Sequence, residues 1–195
     1  MQVNNQTIIV LCEGSSENAY LQELNRFLRE EEKHIVFIPK IIGSGHYKEV
    51  MKKYLSERKS NQRSRIEVWI DDDIYIRNER NNMTNYNKTR NKINFLFNVH
   101  NFEDFLVLHH KDQILDDWIQ ICRDHNHVEK PMINAVYEPL ITSVFSNYTK
   151  TNCPLTSITQ TNLDNLFKHN SDVNIFIKSD FASLLYKLLF ESIKN

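Results

Sequence analysis

Five consecutive apolar residues, Ile8-Ile9-Val10-Leu11-Cys12, stop abruptly at Glu13-Gly14. An apolar run over residues 7–12, rich in isoleucine and valine, has no polar face to offer to water. It therefore reads as a strand buried on both sides, as at the centre of a parallel sheet. Its abrupt end leaves two readings. Glu13 and Gly14 either shape a sharp turn, or they present a carboxylate ligand at the edge of the sheet.

Beyond Gly14 the chain alternates helix and strand. Tyr20, Leu21, Leu24, Phe27 and Leu28 make one apolar stripe at helical spacing over residues 16–30, with Ser15 or Ser16 as the expected N-cap. The charged run 29–33 closes that helix. Residues 35–38 read as a second strand ended by Pro39, Gly43 and Gly45 mark a loop, and residues 47–55 suggest another helix. Residues 65–70 are a third strand running into Asp71, Asp72 and Asp73. This order predicts an α/β fold with a mostly parallel sheet flanked by helices.

Residues 77–91 are polar and read either as a loop or as a helix with a wet face. A short strand is expected at 95–97 and a largely apolar helix at 101–110. Beyond residue 110 the pattern becomes helix-rich. Ile114, Trp118, Ile119 and Cys122 are helically spaced, with Trp118 in a core or interface. Further helices are expected within 131–148, at 163–167 and at 181–193, with a connection at 147–162 and a strand at 174–178. The chain thus divides into a core, 1–110, and a helical C-terminal part packed on it, 111–195.

Composition narrows the function classes. With 195 residues, 41% hydrophobic and a net charge of -1, the chain has material for a core and no overall basic excess that would mark a nucleic-acid binder. A local basic patch is still compatible with a nuclease. Cys12, Cys122 and Cys153 show no metal-binding spacing, so neither a structural zinc site nor a disulfide framework is expected. No secretory leader and no membrane-spanning run is read, and the default expectation is a reducing cytoplasm.

In parallel α/β folds, ligands gather at the carboxyl ends of strands. Glu13 follows the first strand, Asp71 and Asp73 follow the third, and Glu17 lies one helical turn beyond Glu13. Carboxylates brought together repel and shift one another's pKa. A divalent cation such as Mg2+ relieves that cost, and it can polarise a phosphoryl group and activate water. The plain alternative is a solvated strand end and a turn capped by Asp. Asp71 and Asp73 share a side only if extended geometry continues, and Asp72 then faces a cap or solvent.

These residues resemble the Toprim superfamily, with its early strand-end Glu-Gly (here Glu13-Gly14) and later Asp-x-Asp (Asp71-Asp72-Asp73). The closer resemblance is to the RloB-like family of bacterial restriction and defence loci. CEGSSENAY supplies Cys12, Glu13, Gly14, Glu17 and Tyr20, and NVHNFEDFLVLHH supplies Phe102, Glu103, Leu106, Leu108 and His109. The matches span residues 8–110. The resemblance implies a Toprim-like, Rossmann-like fold with Mg2+ or Mn2+ at Glu13, Asp71 and Asp73, and Glu103 as ligand or organiser. It further implies a nuclease acting on DNA or RNA, beside an ABC- or AAA-type ATPase. Two departures stand out. A basic residue is missing between the aspartates, where Arg77 or Arg80 are the substitutes. The family's C-terminal segment is represented only by Lys178-Ser179-Asp180-Phe181.

Other polar residues have weaker readings. His109 shares a face with Phe102 and Leu106, and reads as a satisfied core histidine ahead of a proton shuttle. His110 is a surface residue by default. Lys40 and Lys48 flank Gly43-Ser44-Gly45 as candidate phosphate contacts, although the P-loop ending is absent. The 77–91 stretch is weighed equally as a nucleic-acid contact and a solvated loop. The apolar final helix closes the core or docks a second subunit as a homodimer. The leading expectation is a divalent-metal-dependent nuclease in anti-phage defence. The alternative is a non-catalytic Toprim-like partner or sensor regulated by an ATPase.

Overall fold

Strand β1, Gln6–Cys12, is buried from Ile8 onward and lies in the interior of a four-stranded sheet. The computed structural model describes residues 6–72, 80–145, 155 and 157–191. β1 is followed by helix α1, Ser15–Glu30; β2, Ile35–Ile41; α2, Tyr47–Ser60; and β3, Arg65–Asp71. Then come α3, Arg80–Thr89; β4, Asn94–Asn98; and α4, Phe102–Val107. The C-terminal part adds α5, Asp112–Asp124; α6, Asn134–Val144; α7, Gln160–Ser171; and α8, Asp180–Tyr186, which runs into a π-helical turn at Lys187–Glu191.

The sheet order is β2-β1-β3-β4, and every pair is parallel. Parallel neighbours need crossover connections, and α1, α2 and α3 supply them. The arrangement is a generic α/β Rossmannoid one, with both faces of the sheet covered by helices.

Side-chain alternation sorts the strands onto two cores. Ile8, Val10, Trp69 and Leu96 face α1 and the helices of the C-terminal part. Ile9, Leu11, Val68, Ile70 and Phe95 face α2 and α3 through Val50, Tyr54 and Tyr86. The first core is continuous from Ile8 to Leu188, and it buries Trp118 completely.

Several local expectations need correction. β2 does not stop at Pro39 but continues to Ile41. Proline lacks an N–H donor, and β2 is an edge strand bonded on one side only, so the residue is tolerated there. The N-cap of α1 is Gly14, not Ser15 or Ser16. Of the two readings of 77–91, residues 80–89 take the helical one. Residues 174–178 form no strand, although Ser179 makes a single bridge to Asn98. α7 is longer than the expected 163–167.

Candidate metal centres

The carboxyl ends of β1 and β3 are adjacent because the two strands pair directly, with Cys12 opposite Trp69. Glu13 leaves the end of β1. Its carbonyl accepts from the Gly43 N–H at 2.9 Å, so the loop after β2 runs alongside it. That loop passes so close that a Cβ on Gly45 would lie 2.7 Å from Glu13 Oε2. The Tyr86 hydroxyl donates to the Gly45 carbonyl at 2.7 Å and holds the loop down. The Gly-Ser-Gly segment is thus a wall beside Glu13.

Glu17 lies in the first turn of α1 and is 5% exposed. Its Oε2 accepts from the Gly14 N–H at 3.2 Å, which satisfies one of the orphan donors at the helix start. Burial, together with the charges of Glu13 and Glu103, pushes its carboxyl up to about 7. Asp71, the last residue of β3, is pushed well above the usual carboxylate range by desolvation, then by Glu17, Glu13 and Glu103. These four side chains therefore feel one another at one sheet edge. Glu103 reaches it from the first turn of α4, where a carboxylate also suits the helix dipole. Cys12, beneath the cluster, has its thiol raised to about 12 by burial and by Glu17, so it is a poor nucleophile at neutral pH.

Asp72 turns to a cap, where its Oδ1 accepts from the His100 N–H at 2.7 Å. His100 sits there with φ of 67°, in the left-handed region that few residues other than glycine enter and histidine enters more often than most. Asp73 and Arg77 lie outside the described residues, and Arg80 opens α3. Lys40 is half-buried near the end of β2, and Lys48 is exposed on the first turn of α2.

His109 belongs to the core, away from solvent. It is 0% exposed, with Nε2 3.0 Å from the Tyr20 hydroxyl and Nδ1 3.3 Å from the Phe105 carbonyl. Burial holds it neutral, with its pKa lowered to about 3. The consistent arrangement is Nδ1–H donating to the carbonyl while Nε2 accepts from Tyr20. His110, read as a surface residue, is half-buried with its ring 4.8 Å from that of Phe145.

A second cluster escaped the sequence reading. Asp104, Cys122 and His127 are fully buried, and their ligand atoms all lie within 4.8 Å of one another. This trio can in principle coordinate a metal. It is also already knitted by hydrogen bonds. Asp104 Oδ1 accepts from Trp118 Nε1 at 2.7 Å, and Asp104 Oδ2 lies 2.8 Å from His127 Nε2. The other His127 nitrogen, Nδ1, accepts from the Met132 N–H at 2.8 Å, so the ring proton belongs on Nε2, facing Asp104. A metal at Nε2 would have to displace that proton. The Tyr137 hydroxyl, 2.8 Å from Asn101 Oδ1 and 3.3 Å from Asp104 Oδ1, ties the network to the N-cap of α4. Only Cys122 and Trp118 gave any warning in the sequence, as apolar positions on a helix.

The fold and the buried Asp104, Cys122 and His127 cluster define an α/β Rossmannoid protein with metal-binding potential, in which no helix among the described residues is long and apolar enough to cross a membrane. No family model matches the chain, and no curated protein or solved structure matches it either.

Proposed function

We propose that the chain is a divalent-metal-dependent nuclease with a Toprim-like fold, akin to the RloB-like defence proteins, hydrolysing phosphodiester bonds in DNA or RNA, transfer RNA included. The carrying observation is the electrostatic convergence of Glu13, Glu17, Asp71 and Glu103 at the carboxyl edge of a parallel sheet. A set of hard oxygen donors that raise one another's pKa fits Mg2+ or Mn2+ by chemistry, because a cation removes the repulsion. Glu13, Asp71 and Asp73 are the residues that would hold it. When bound, such an ion supplies Lewis-acid charge to a phosphoryl group.

The chain's own groups do the rest of the work in this reading. Glu17, 5% exposed in the first turn of α1, is with Glu103 the group that would orient the attacking water or complete a second ion site. Glu103 stands at the N-terminal turn of α4 and orients the shared site. Lys40, Lys48 and Arg80 are the candidate contacts to a nucleic-acid backbone. An ABC- or AAA-type ATPase is the proposed partner, and anti-phage defence the setting.

The test is cleavage of plasmid DNA, single-stranded DNA and total transfer RNA by the purified chain with Mg2+, Mn2+ or chelator. Glu13→Gln and Asp71→Asn should each lower cutting by about a hundredfold or more, roughly 2.7 kcal/mol of transition-state stabilisation. Metal-dependent cutting that survives both substitutions would sink the assignment. Metal binding without cutting of any substrate, with and without the ATPase, would favour the non-catalytic partner.

A further inference from the structure

Asn98 ends β4 and is paired in register with Asp71, which ends β3. It is 1% exposed, and its amide cannot be turned around. Oδ1 lies 2.9 Å from Trp69 Nε1, an atom that can only donate, so the oxygen must face the indole. The Ser179 hydroxyl donates to the same oxygen at 2.8 Å. Nδ2 is thereby aimed at Asp71, and it donates to Oδ1 of that carboxylate at 3.0 Å.

The two groups that fix the amide are themselves fixed. Trp69 is fully buried and stacks on Phe181 with ring centroids 4.1 Å apart. Ser179 caps α8, and the residues around it are fastened along β4. Val99 N–H donates to the Lys178 carbonyl at 2.8 Å, and Phe97 N–H donates to Asp180 Oδ2 at 3.1 Å. The segment 178–181 thus covers the outer edge of β4 and reaches the Asp71 carboxylate through one intervening side chain.

We infer that Asn98 is a positioning residue for Asp71, and that Ser179 and Trp69 set its amide so that the C-terminal segment is a working part of the sheet-edge site. This rests on the proposed role of Asp71 as a ligand. Oriented carboxylates bind a cation better than mobile ones, and groups that orient ligands typically change metal affinity by about 10–100-fold when removed.

The experiment is calorimetric titration of the full chain with Mn2+ alone, beside urea unfolding of each metal-free variant. Asn98→Leu keeps the bulk of the side chain and removes the donor to Asp71 without adding a charge of its own. It should weaken Mn2+ binding by about tenfold or more in protein that remains folded. Ser179→Ala should weaken it less, and Ser179→Thr, which keeps the hydroxyl, should bind as the parent does. Asp71→Asn separates this inference from the reading beneath it. If Asp71→Asn binds as the parent does, or the parent does not bind, the metal reading fails and takes this inference with it. If Asp71→Asn loses binding but Asn98→Leu binds as well as the parent or better, this inference alone fails. Should Asn98→Leu not fold, the Ser179→Ala and Ser179→Thr pair decides on the same criterion.

Discussion

Glu103 and Asp104 are neighbours on the first turn of one short helix, yet they serve opposite kinds of cluster. Asp104 points into the core, where Trp118 and His127 meet its two oxygens. Glu103 acts on Asp71 and Glu17, which are raised by burial and by neighbouring carboxylates. In one place negative charge is answered by protein donors. In the other the protein concentrates it. A buried polar group costs little when every lone pair is used, and a great deal when like charges share it. The first arrangement fastens helices together, and the second is the one that, in the proposed function, would hold a cation.

The largest effect should come from breaking the satisfied cluster. Asp104→Asn sets an amide donor against the His127 N–H and should destabilise the fold by about 3–5 kcal/mol, read by urea unfolding. Because the network is closed, chelator should leave the unfolding curve of Asp71→Asn, which lacks the proposed sheet-edge ligand, unchanged. A large chelator effect in that variant would instead assign a resident metal to Asp104, Cys122 and His127.

The edge cluster should respond in the opposite sense. Glu17 has its folded pKa raised from 4.5 to about 7, so the folded state binds more protons than the unfolded state across that window. Stability attributable to Glu17 therefore falls as pH rises from 4.5 to 7, by up to roughly 3 kcal/mol. Metal-free Glu17→Gln should be more stable than the parent at pH 8, with the gain shrinking toward pH 4.5. His109 works the other way. Its pKa is lowered to about 3, so its contribution is present above 6.5 and is lost as pH falls toward 3. The two trends oppose each other between 4.5 and 6.5, and Glu17→Gln should uncover a steeper acid limb. A variant no more stable than the parent at pH 8 would mean the carboxylates are not in conflict.

Tyr20→Phe is a smaller perturbation of the same helix. It leaves His109 Nε2 buried without its donor and should cost about 1–3 kcal/mol in thermal or urea unfolding. The smallest effect on stability should come from Gly45→Ala. The three atoms nearest the new methyl all belong to the end of the Glu13 side chain. The carboxylate can swing away, so the stability change should stay below about 1 kcal/mol while Mn2+ affinity falls. Unchanged affinity would show that the loop does not set the Glu13 position.

Much of this architecture could be read in the chain itself. Ile8–Cys12, the α1 stripe and the strand running into Asp71 each carry a local signal, because burial on one or two faces imposes its own periodicity. The placement of Glu13 and Asp71 at strand ends follows directly from where those runs stop. Pro39 misled, since the rule that proline ends a strand depends on which side of the strand is bonded, and only sheet order decides that. The N-cap at Gly14 misled as well: glycine has no side chain to accept from the first-turn N–H groups, and Glu17 instead reaches back to accept from the Gly14 N–H.

Local sequence dictates the alternating α/β order, the two core-facing sets of strand residues and the carboxylates at strand ends. These are properties of residues near one another in the chain. Only the packing of the folded chain sets Asn98 against Asp71, 27 positions away, and lets Ser179 orient it from 81 positions away. Packing likewise closes Asp104, His127 and Trp118 on one another. A hydrogen bond depends on distance in space, and an asparagine or a serine looks the same in a chain whether it faces water or holds a carboxylate in place.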